Sequence, residues 1–280
     1  MEQRVLDFKE KIEKLSLDEL KSSIQAREIS GYSRTLPVEH FQLWEDILET
    51  LDKKNIQYDV QHICAAGGKN ARRIKRVEEQ IGKDTLGATW LQKLIGKIII
   101  KDLANDESSA SLGIAFHDKG IQVSYGQNII VCNNFSIMNA SNTVTTFGKN
   151  SFNNYGNFLQ VINAWITEHE KLRKSDLDTI ETMKTISIDE HNVMPSIIGK
   201  LQMKAVEATY LKGKTAPFNI GQVSTFTKNY LESKSDNVKN LWELYNHGTN
   251  IMKPEIVDIS TLQPQIIQFT NFINEEFSVN

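Results

Sequence analysis

The stretch ASLGIAFHDKGIQVSYG, residues 110–126, decides the fold class of this chain. It contains two candidate strands, 110–117 and 120–126, joined by the link Asp118-Lys119-Gly120. A link this short and rich in turn-forming residues is typical of a β-hairpin. Further candidate strands lie at 95–103 and 128–132. The sequence therefore predicts a small antiparallel sheet over about 95–132.

Amphipathic patterns lie N-terminal to this sheet. Apolar residues separated by charged ones over 4–29 predict one or two helices, with Ser16 and Glu19 spaced as a capping box. A further helix is predicted to begin at Pro37 and to end at Asn55. These helices would pack their apolar sides against the sheet.

Four segments around the sheet have weaker signals. Residues 58–63 alternate in the manner of a strand, Gly67-Gly68 is a turn, and 69–81 has a helical pattern. Residues 133–157 contain eight asparagines. Since asparagine favours turns, this stretch predicts an irregular connection.

The C-terminal part of the chain is predicted to be mainly helical. The expected helices are 157–173, 189–211, 221–233, 238–252 and a terminal segment after Pro264. The fold class is therefore α+β, with the sheet packed against amphipathic helices from both termini. A boundary near residue 150 would separate a mixed α/β region, 1–150, from a helical region, 151–280, as two domains or as parts of one.

Composition sets limits on the class of protein. The 280 residues are 40% hydrophobic and 24% charged, which is typical of a globular chain, and the net charge is -3. Cys64 and Cys132 lack the spacing of a zinc site, so we expect buried thiols, no metal and no cofactor. Because the sequence shows no signal peptide and no apolar run of membrane length, we expect a cytoplasmic protein with no membrane partner.

One segment is strongly basic. On a helix four of its cationic side chains would share one face, because their spacing is i, i+3, i+4 and i+7; these are Lys69, Arg72, Arg73 and Arg76. Gly67-Gly68 precedes this helix, and exposed amides beside guanidinium groups suit a phosphate. The cations of the segment are Lys69, Arg72, Arg73, Lys75 and Arg76.

The basic character extends to residue 101 and includes Lys93 and Lys97. Residues 69–101 carry a net charge of +6, so the remainder of the chain carries -9. Such asymmetry is what a local anion-binding surface requires, although a solvated helix face has the same pattern. Aromatic residues along the β region would add stacking surfaces for bases, although aromatic residues near strands are usually part of the core; they are Tyr125, Phe135, Phe147, Phe152 and Tyr155.

No catalytic pattern is present in the sequence. His117-Asp118 is the one adjacent pair suited to acid–base chemistry or to a metal, and it lies at the predicted hairpin turn. No nucleophile elbow, Walker loop or dinucleotide-binding glycine pattern occurs. We therefore do not expect an enzyme.

Three ordered motifs resemble the phage/plasmid-like proteins of unknown function. They are Leu36-Pro37-Val38-Glu39-His40, the segment from Ser111 to Gly120 followed by Ile130-Val131-Cys132-Asn133-Asn134, and Leu241-Trp242-Glu243-Leu244-Tyr245-Asn246-His247-Gly248-Thr249. The resemblance covers about residues 30–252. It implies an origin in a bacteriophage or another mobile element, and no agreed activity.

Two functions follow as hypotheses. The first is nucleic-acid binding without strong sequence preference, to single-stranded DNA, in replication or recombination of a mobile element. The alternative is a protein-interaction factor that binds or blocks a host protein through the helical C-terminal half, with Trp242 and Tyr245 as aromatic anchors. An oligomer is compatible with either function.

Overall fold

The structure is a computed structural model. It describes residues 13–21, 40–61, 63–67, 91–102, 104–117, 120–130, 134–139, 141–147, 152–188, 193–232, 238–252 and 262–279. Its strands are β1 (Glu13–Leu15), β2 (Tyr58–Val60), β3 (Ile63–Gly67), β4 (Leu91–Ile100), β5 (Ser108–His117), β6 (Gly120–Ile129), β7 (Asn134–Ser136) and β8 (Thr143–Phe147). Its helices are α1 (Leu17–Lys21), α2 (His40–Lys53), α3 (Phe152–Thr167), α4 (His169–Thr185), α5 (Val193–Tyr210), α6 (Ile220–Glu232), α7 (Leu241–Asn250) and α8 (Leu262–Phe277).

The predicted α+β class is confirmed, and the sheet is larger than predicted. Eight strands of the described chain join in the order β1-β3-β4-β5-β6-β7, while β2 also pairs with β4 and β8 with β6. Every strand pair with a described register is antiparallel. The sheet therefore begins far upstream of the predicted range 95–132 and ends beyond it.

The predicted hairpin is present at the centre of this sheet. β5 ends at His117 and its neighbour β6 begins at Gly120, so two residues link them. The predicted break between strands 120–126 and 128–132 is wrong, because β6 continues to Ile129. Gly126 lets β7 approach β6 closely, since a Cβ there would collide with the carbonyl oxygen of Ser136 on β7.

One side of the central sheet is apolar. Leu94 on β4 lies opposite Phe116 on β5, and Ile98 lies opposite Leu112. All four side chains are fully buried, as is Trp44 of α2. Alternation along the strands puts these side chains on the same side of the sheet, where they form part of the core.

The N-terminal segment differs from the predicted helix over 4–29. Glu13–Leu15 forms β1 and pairs with β3, so the helical interpretation is wrong at these residues. The predicted capping box is confirmed: the Glu19 amide donates to Ser16 Oγ at 3.2 Å, and the Ser16 amide donates to the Glu19 carboxylate at 2.8 Å. These bonds satisfy donors at the start of α1.

The helix predicted to end at Asn55 is confirmed in α2. Asn55 has a φ of 55°, the left-handed conformation that commonly ends a helix. Its amide donates to the carbonyl of Asp52, and the Ile56 amide donates to that of Leu51 at 3.1 Å. This pair of bonds is a Schellman motif. The predicted start at Pro37 lies outside the described residues.

The predicted strand 58–63 is in fact two strands. β2 and β3 pair with the same strand, β4, but their registers differ by one residue. β3 has a further register shift between Ala66 and Gly67, which alternation alone does not reveal. Cys64 is buried, as predicted, whereas Cys132 lies outside the described residues.

The asparagine-rich segment 133–157 is more ordered than predicted. It contains β7, β8 and the first residues of α3. Val144 of β8 lies opposite Val123, and Phe135 of β7 lies opposite Asn128, so both short strands pair with β6. Pairing with a long central strand overrides the local turn preference of asparagine.

The C-terminal half contains six helices in its described part. The prediction of one helix over 157–173 is wrong, because α3 ends at Thr167 and α4 begins at His169. Helices α6 and α7 lie within three residues of their predicted ranges, α5 begins four residues later than predicted, and α8 falls in the predicted terminal segment.

The chain divides into two compact units. The first contains residues 1–125 and 141–169, and the second contains 126–140 and 170–280. β6 therefore passes from the first unit into the second. The separate prediction of a domain boundary near residue 150 stays a prediction.

Aromatic side chains form part of the core of the second unit. The Phe269 ring on α8 lies 5.0 Å from that of Phe218 and 5.6 Å from that of Tyr245 on α7. Gly248 makes this packing possible, because a Cβ at that position would overlap the Phe269 ring. Helices α7 and α8 are thereby held close together.

Candidate functional site: the outer surface of two C-terminal helices

Most of the predicted nucleic-acid site lies outside the described residues. This holds for the five cations of 69–76, namely Lys69, Arg72, Arg73, Lys75 and Arg76, and for the predicted helix 69–81. Their role stays a prediction.

Lys93 and Lys97 lie on β4. Lys93 is paired with Ala66 and Lys97 with Gly113. The Lys97 side chain is half-buried. Lys101, just after the strand, is exposed.

Two predicted aromatic roles are wrong. Tyr125 is fully buried, with its hydroxyl donating to the carbonyl of His169 at 3.0 Å, so it offers no stacking surface. Tyr245 is also fully buried and stacks on Trp242 at 5.8 Å, so it is not an exposed anchor. His117 ends β5, and its neighbour Asp118 lies outside the described residues.

A different surface has the features of a contact site. Eight large apolar side chains are exposed in the described part of the chain, and six of them lie between residues 203 and 231. Exposed apolar side chains concentrated in one part of the chain are typical of interaction sites. The six residues are Met203, Val206, Tyr210, Leu211, Ile220 and Leu231.

Helix α5 has apolar side chains on two opposite sides. Its inner side is buried and contains Met194, Ile197, Leu201 and Ala205. At 3.6 residues per turn, Met203, Val206 and Tyr210 lie on the opposite side. They are 65%, 40% and 76% exposed. Since a surface helix normally has a polar outer side, α5 departs from the usual amphipathic pattern.

The charged residues of α5 lie to one side of this outer surface. Lys200 forms an ion pair with Glu276 of α8. Lys204 lies 3.8 Å from the carboxylate of Glu275 and 5.8 Å from the centre of the Phe272 ring. These contacts hold α5 against α8 and leave the apolar outer side uncovered by described residues.

A groove lies between α5 and α6 on the other flank. It has a volume of about 680 Å³. Its lining is mainly apolar, with hydroxyl groups along the middle and the Lys228–Glu232 ion pair at one end. We call it the α5–α6 groove; its apolar residues are Ile198, Ile220, Val223 and Leu231, and its polar residues are Gln202, Ser224, Thr227, Lys228 and Glu232.

Helix α6 is fixed firmly at the start of this groove. The Gln222 amide donates to Asn219 Oδ1 and the Asn219 amide donates to Gln222 Oε1, both at 2.9 Å. This reciprocal pair is a capping box. The same helix packs its inner side through Phe226, which is fully buried. Ile220 and Leu231 consequently remain on its outer surface.

The second unit also contains a buried polar cluster. The Arg173 guanidinium of α4 donates to Gln127 Oε1 at 2.6 Å, and Gln127 Nε2 donates to Asp176 Oδ2 at 2.8 Å. None of these three side chains is more than 3% exposed. The amide of Gln127 thus bridges two groups of opposite charge and ties α4 to β6.

Burial changes the acidity of this cluster. It raises the pKa of Asp176 to about 7, although the hydrogen bond from Gln127 and the charge of Arg173 act in the opposite direction. Burial also raises the pKa of the nearby Tyr245, whose hydroxyl lies 2.8 Å from that of Thr270. With every member fully buried, the cluster is inaccessible to a substrate and is best explained as structural.

Comparisons with known proteins give no further information. No family model matches the chain, and neither a curated protein nor a solved structure does. The resemblance to phage/plasmid-like proteins therefore stays a prediction, as does the cytoplasmic location. Within the described ranges, no helix has the length and apolar content needed to cross a membrane.

Sequence reasoning placed α5 correctly but missed its outer surface. The helix over 189–211 was expected to be amphipathic in the ordinary sense. The available signal was that its charged residues, Lys200, Lys204 and Glu207, fall on one side, whereas apolar residues occur around the remaining circumference. That pattern predicts a helix with two contact surfaces.

Proposed function

We propose that this protein is a protein-interaction factor that binds an amphipathic helix of a partner protein in the α5–α6 groove. The observation that carries the proposal is the exposure of apolar side chains along this groove, with Leu231 67% and Ile220 43% exposed. Exposed apolar side chains cost solubility, and a partner that covers them recovers the free energy of burial.

The groove has the chemistry that an amphipathic helix needs. Its α6 side presents Ile220, Val223, Thr227 and Leu231, a spacing of three or four residues that forms one continuous stripe. Helices that bind such grooves insert apolar anchors at i, i+3 or i+4, and i+7. The hydroxyl of Thr227 gives the middle of the stripe a polar group.

The rim of the groove favours a partner with carboxylates. Lys228 is largely exposed, and its ion pair with Glu232 is 3.6 Å long and solvated. Such a pair contributes little, so Lys228 can exchange Glu232 for a carboxylate of the partner. Lys212 and Lys214, both exposed, follow α5 at the opposite end. A mobile-element origin, implied by the sequence resemblance, would make a host protein the natural partner.

Site-specific photo-crosslinking tests this function. A photoreactive amino acid at position 231 should crosslink, in the producing cell, to a peptide of one partner with apolar residues at helical spacing. The same group at position 174, on the exposed side of α4, is the matched control and should not. The proposal fails if positions 231 and 174 yield the same products.

The purified partner then provides the quantitative test. Leu231→Glu should weaken its binding by roughly a hundredfold, since a buried unpaired carboxylate is costly. Because Leu231 is exposed, the fold of the variant should be unchanged, which circular dichroism can verify. Unaltered binding by Leu231→Glu would place the partner elsewhere and contradict the proposal.

Nucleic-acid binding is retained as a second proposal. It is supported by the net charge of +6 over 69–101 and by the location of Lys93 and Lys97 on the same strand, β4. Anisotropy with labelled single-stranded DNA should give a log–log salt slope near -3 if about four phosphates are neutralised. Arg72→Glu with Arg73→Glu should flatten the slope. Absence of binding by the wild type at low salt would overturn it.

A further inference from the structure

The outer side of α5 has the spacing of a helix-pairing seam. Its members are separated by four, three and four residues, the pattern with which apolar positions recur in helices that pack side by side. We call Gly199, Met203, Val206 and Tyr210 the α5 seam. It borders the α5–α6 groove, because the groove-lining Gln202 lies at its edge, but the dimer does not depend on the proposed function.

Gly199 is the least expected member of the seam. Glycine in the middle of a helix is unfavourable relative to alanine. A Cβ at this position would meet no atom within 4 Å, so packing among the described residues does not require the glycine. The absence of a side chain does, however, leave space for a bulky group from outside.

The seam is complementary to itself in an antiparallel arrangement. If two copies of α5 run in opposite directions about a two-fold axis near residues 204 and 205, Tyr210 of each copy meets Gly199 of the other. Met203 then meets Val206 in the two central layers. The largest residue faces the smallest, and layers of this kind pack without voids.

The flanking charges match the same arrangement. Lys200 and Glu207 lie one heptad apart on one edge of the seam. Antiparallel pairing brings Lys200 of one copy opposite Glu207 of the other, twice per dimer, and Gln202 opposite Thr209 on the other edge. A parallel pair would place like residues together, with Tyr210 against Tyr210 and Gly199 against Gly199.

We propose that the protein forms a two-fold dimer in which the α5 seams of two copies pack against each other in opposite directions. Tyr210 and Val206 supply the apolar contact, Gly199 supplies the space, and the two Lys200–Glu207 pairs set the orientation. Each dimer then carries two α5–α6 grooves.

Sedimentation equilibrium of the full chain tests the dimer. The wild type should show a concentration-dependent equilibrium between one and two chains. Val206→Glu should raise the dissociation constant by roughly tenfold or more, because it inserts a carboxylate into both central layers. Leu231→Glu, on the neighbouring groove, is the matched control and should dimerise as the wild type does.

Charge reversal tests the orientation. Glu207→Lys should weaken the dimer by creating two like-charge pairs, and the double variant Lys200→Glu, Glu207→Lys should restore it. Since Lys200 also pairs with Glu276, the melting temperature of each variant measures the loss within the chain separately. A single-chain mass for the wild type at every concentration would overturn the dimer. Equal dissociation constants for Glu207→Lys and the wild type would overturn the antiparallel orientation.

Discussion

Helices α4 and α5 depart from the ordinary amphipathic pattern in opposite ways. α4 buries Arg173 and Asp176 within the second unit, whereas α5 exposes Met203 and Tyr210. A buried charge needs a hydrogen-bonding partner, and an exposed apolar side chain needs a covering surface. α4 finds its partner in Gln127 of the same chain. In the part of the chain that the structure describes, no residue covers the outer side of α5, and the proposed second copy would supply that surface.

The largest expected difference is in the free energy of unfolding when one residue is shortened on each side of α5. Leu201→Ala should lower the free energy of unfolding by about 2–5 kcal/mol, because it leaves a cavity in the core. Met203→Ala, on the outer side, should change it by less than about 0.5 kcal/mol at concentrations where the protein is a monomer. Urea denaturation of both variants checks this. Equal losses would show that the outer side is covered within the chain.

Several elements of the fold were predictable from the sequence because their signals are local. The capping box at Ser16 and the end of α2 at Asn55 follow from local chemistry, and both were predicted correctly. The centre of the sheet was predicted for the same reason, since the link from Asp118 to Gly120 has the length and residues of a hairpin. Elements with strong local signals were therefore accessible from the sequence.

The remainder depends on distant contacts. β1 and β8 are short and form because β3 and β6 supply the pairing edges, which no local pattern shows. α4 was missed beyond residue 173 because its buried side contains Arg173 and Asp176, and a helix with buried charge looks like a solvated segment. The bond partner that explains them, Gln127, is more than forty residues away in sequence.

The second expected effect concerns the pH dependence of stability. Because burial raises the pKa of Asp176 to about 7, the folded state retains a proton that the unfolded state releases near its ordinary pKa of about 3.9. The contribution of Asp176 is therefore greatest below about pH 4 and declines as the pH rises towards 7. Between pH 5 and pH 8 it should fall by about 3 kcal/mol.

Asp176→Asn isolates this contribution. The variant keeps an acceptor for Gln127 Nε2 and has no proton to release. The free energy of unfolding of the wild type should therefore fall relative to that of the variant as the pH rises. Urea denaturation of both proteins at pH 5 and pH 8 measures the difference, in which all other titrating groups cancel. A constant difference at the two pH values would mean that Asp176 titrates normally.

The smallest expected effect separates stability from association. Gly199→Ala should raise the free energy of unfolding of the monomer by about 0.5–1 kcal/mol, since alanine favours the helix and its Cβ meets nothing. The same change should weaken the dimer, because it fills the space for Tyr210 of the second copy. Denaturation at low concentration and sedimentation of the same variant measure the two effects. If Gly199→Ala raised both the free energy of unfolding and the affinity of the dimer, Gly199 would not lie in the dimer contact.

The exposure of Met203 in solution directly tests whether a second copy covers the outer side of α5. Oxidative footprinting with mass spectrometry gives the oxidation rate of each methionine, and the fully buried Met183 serves as an internal reference. The Met203 rate should be high in dilute protein and should fall as the concentration rises, whereas in Val206→Glu it should stay high throughout. A Met203 oxidation rate in the wild type that is equally high at every concentration would show that no second copy covers the outer side of α5.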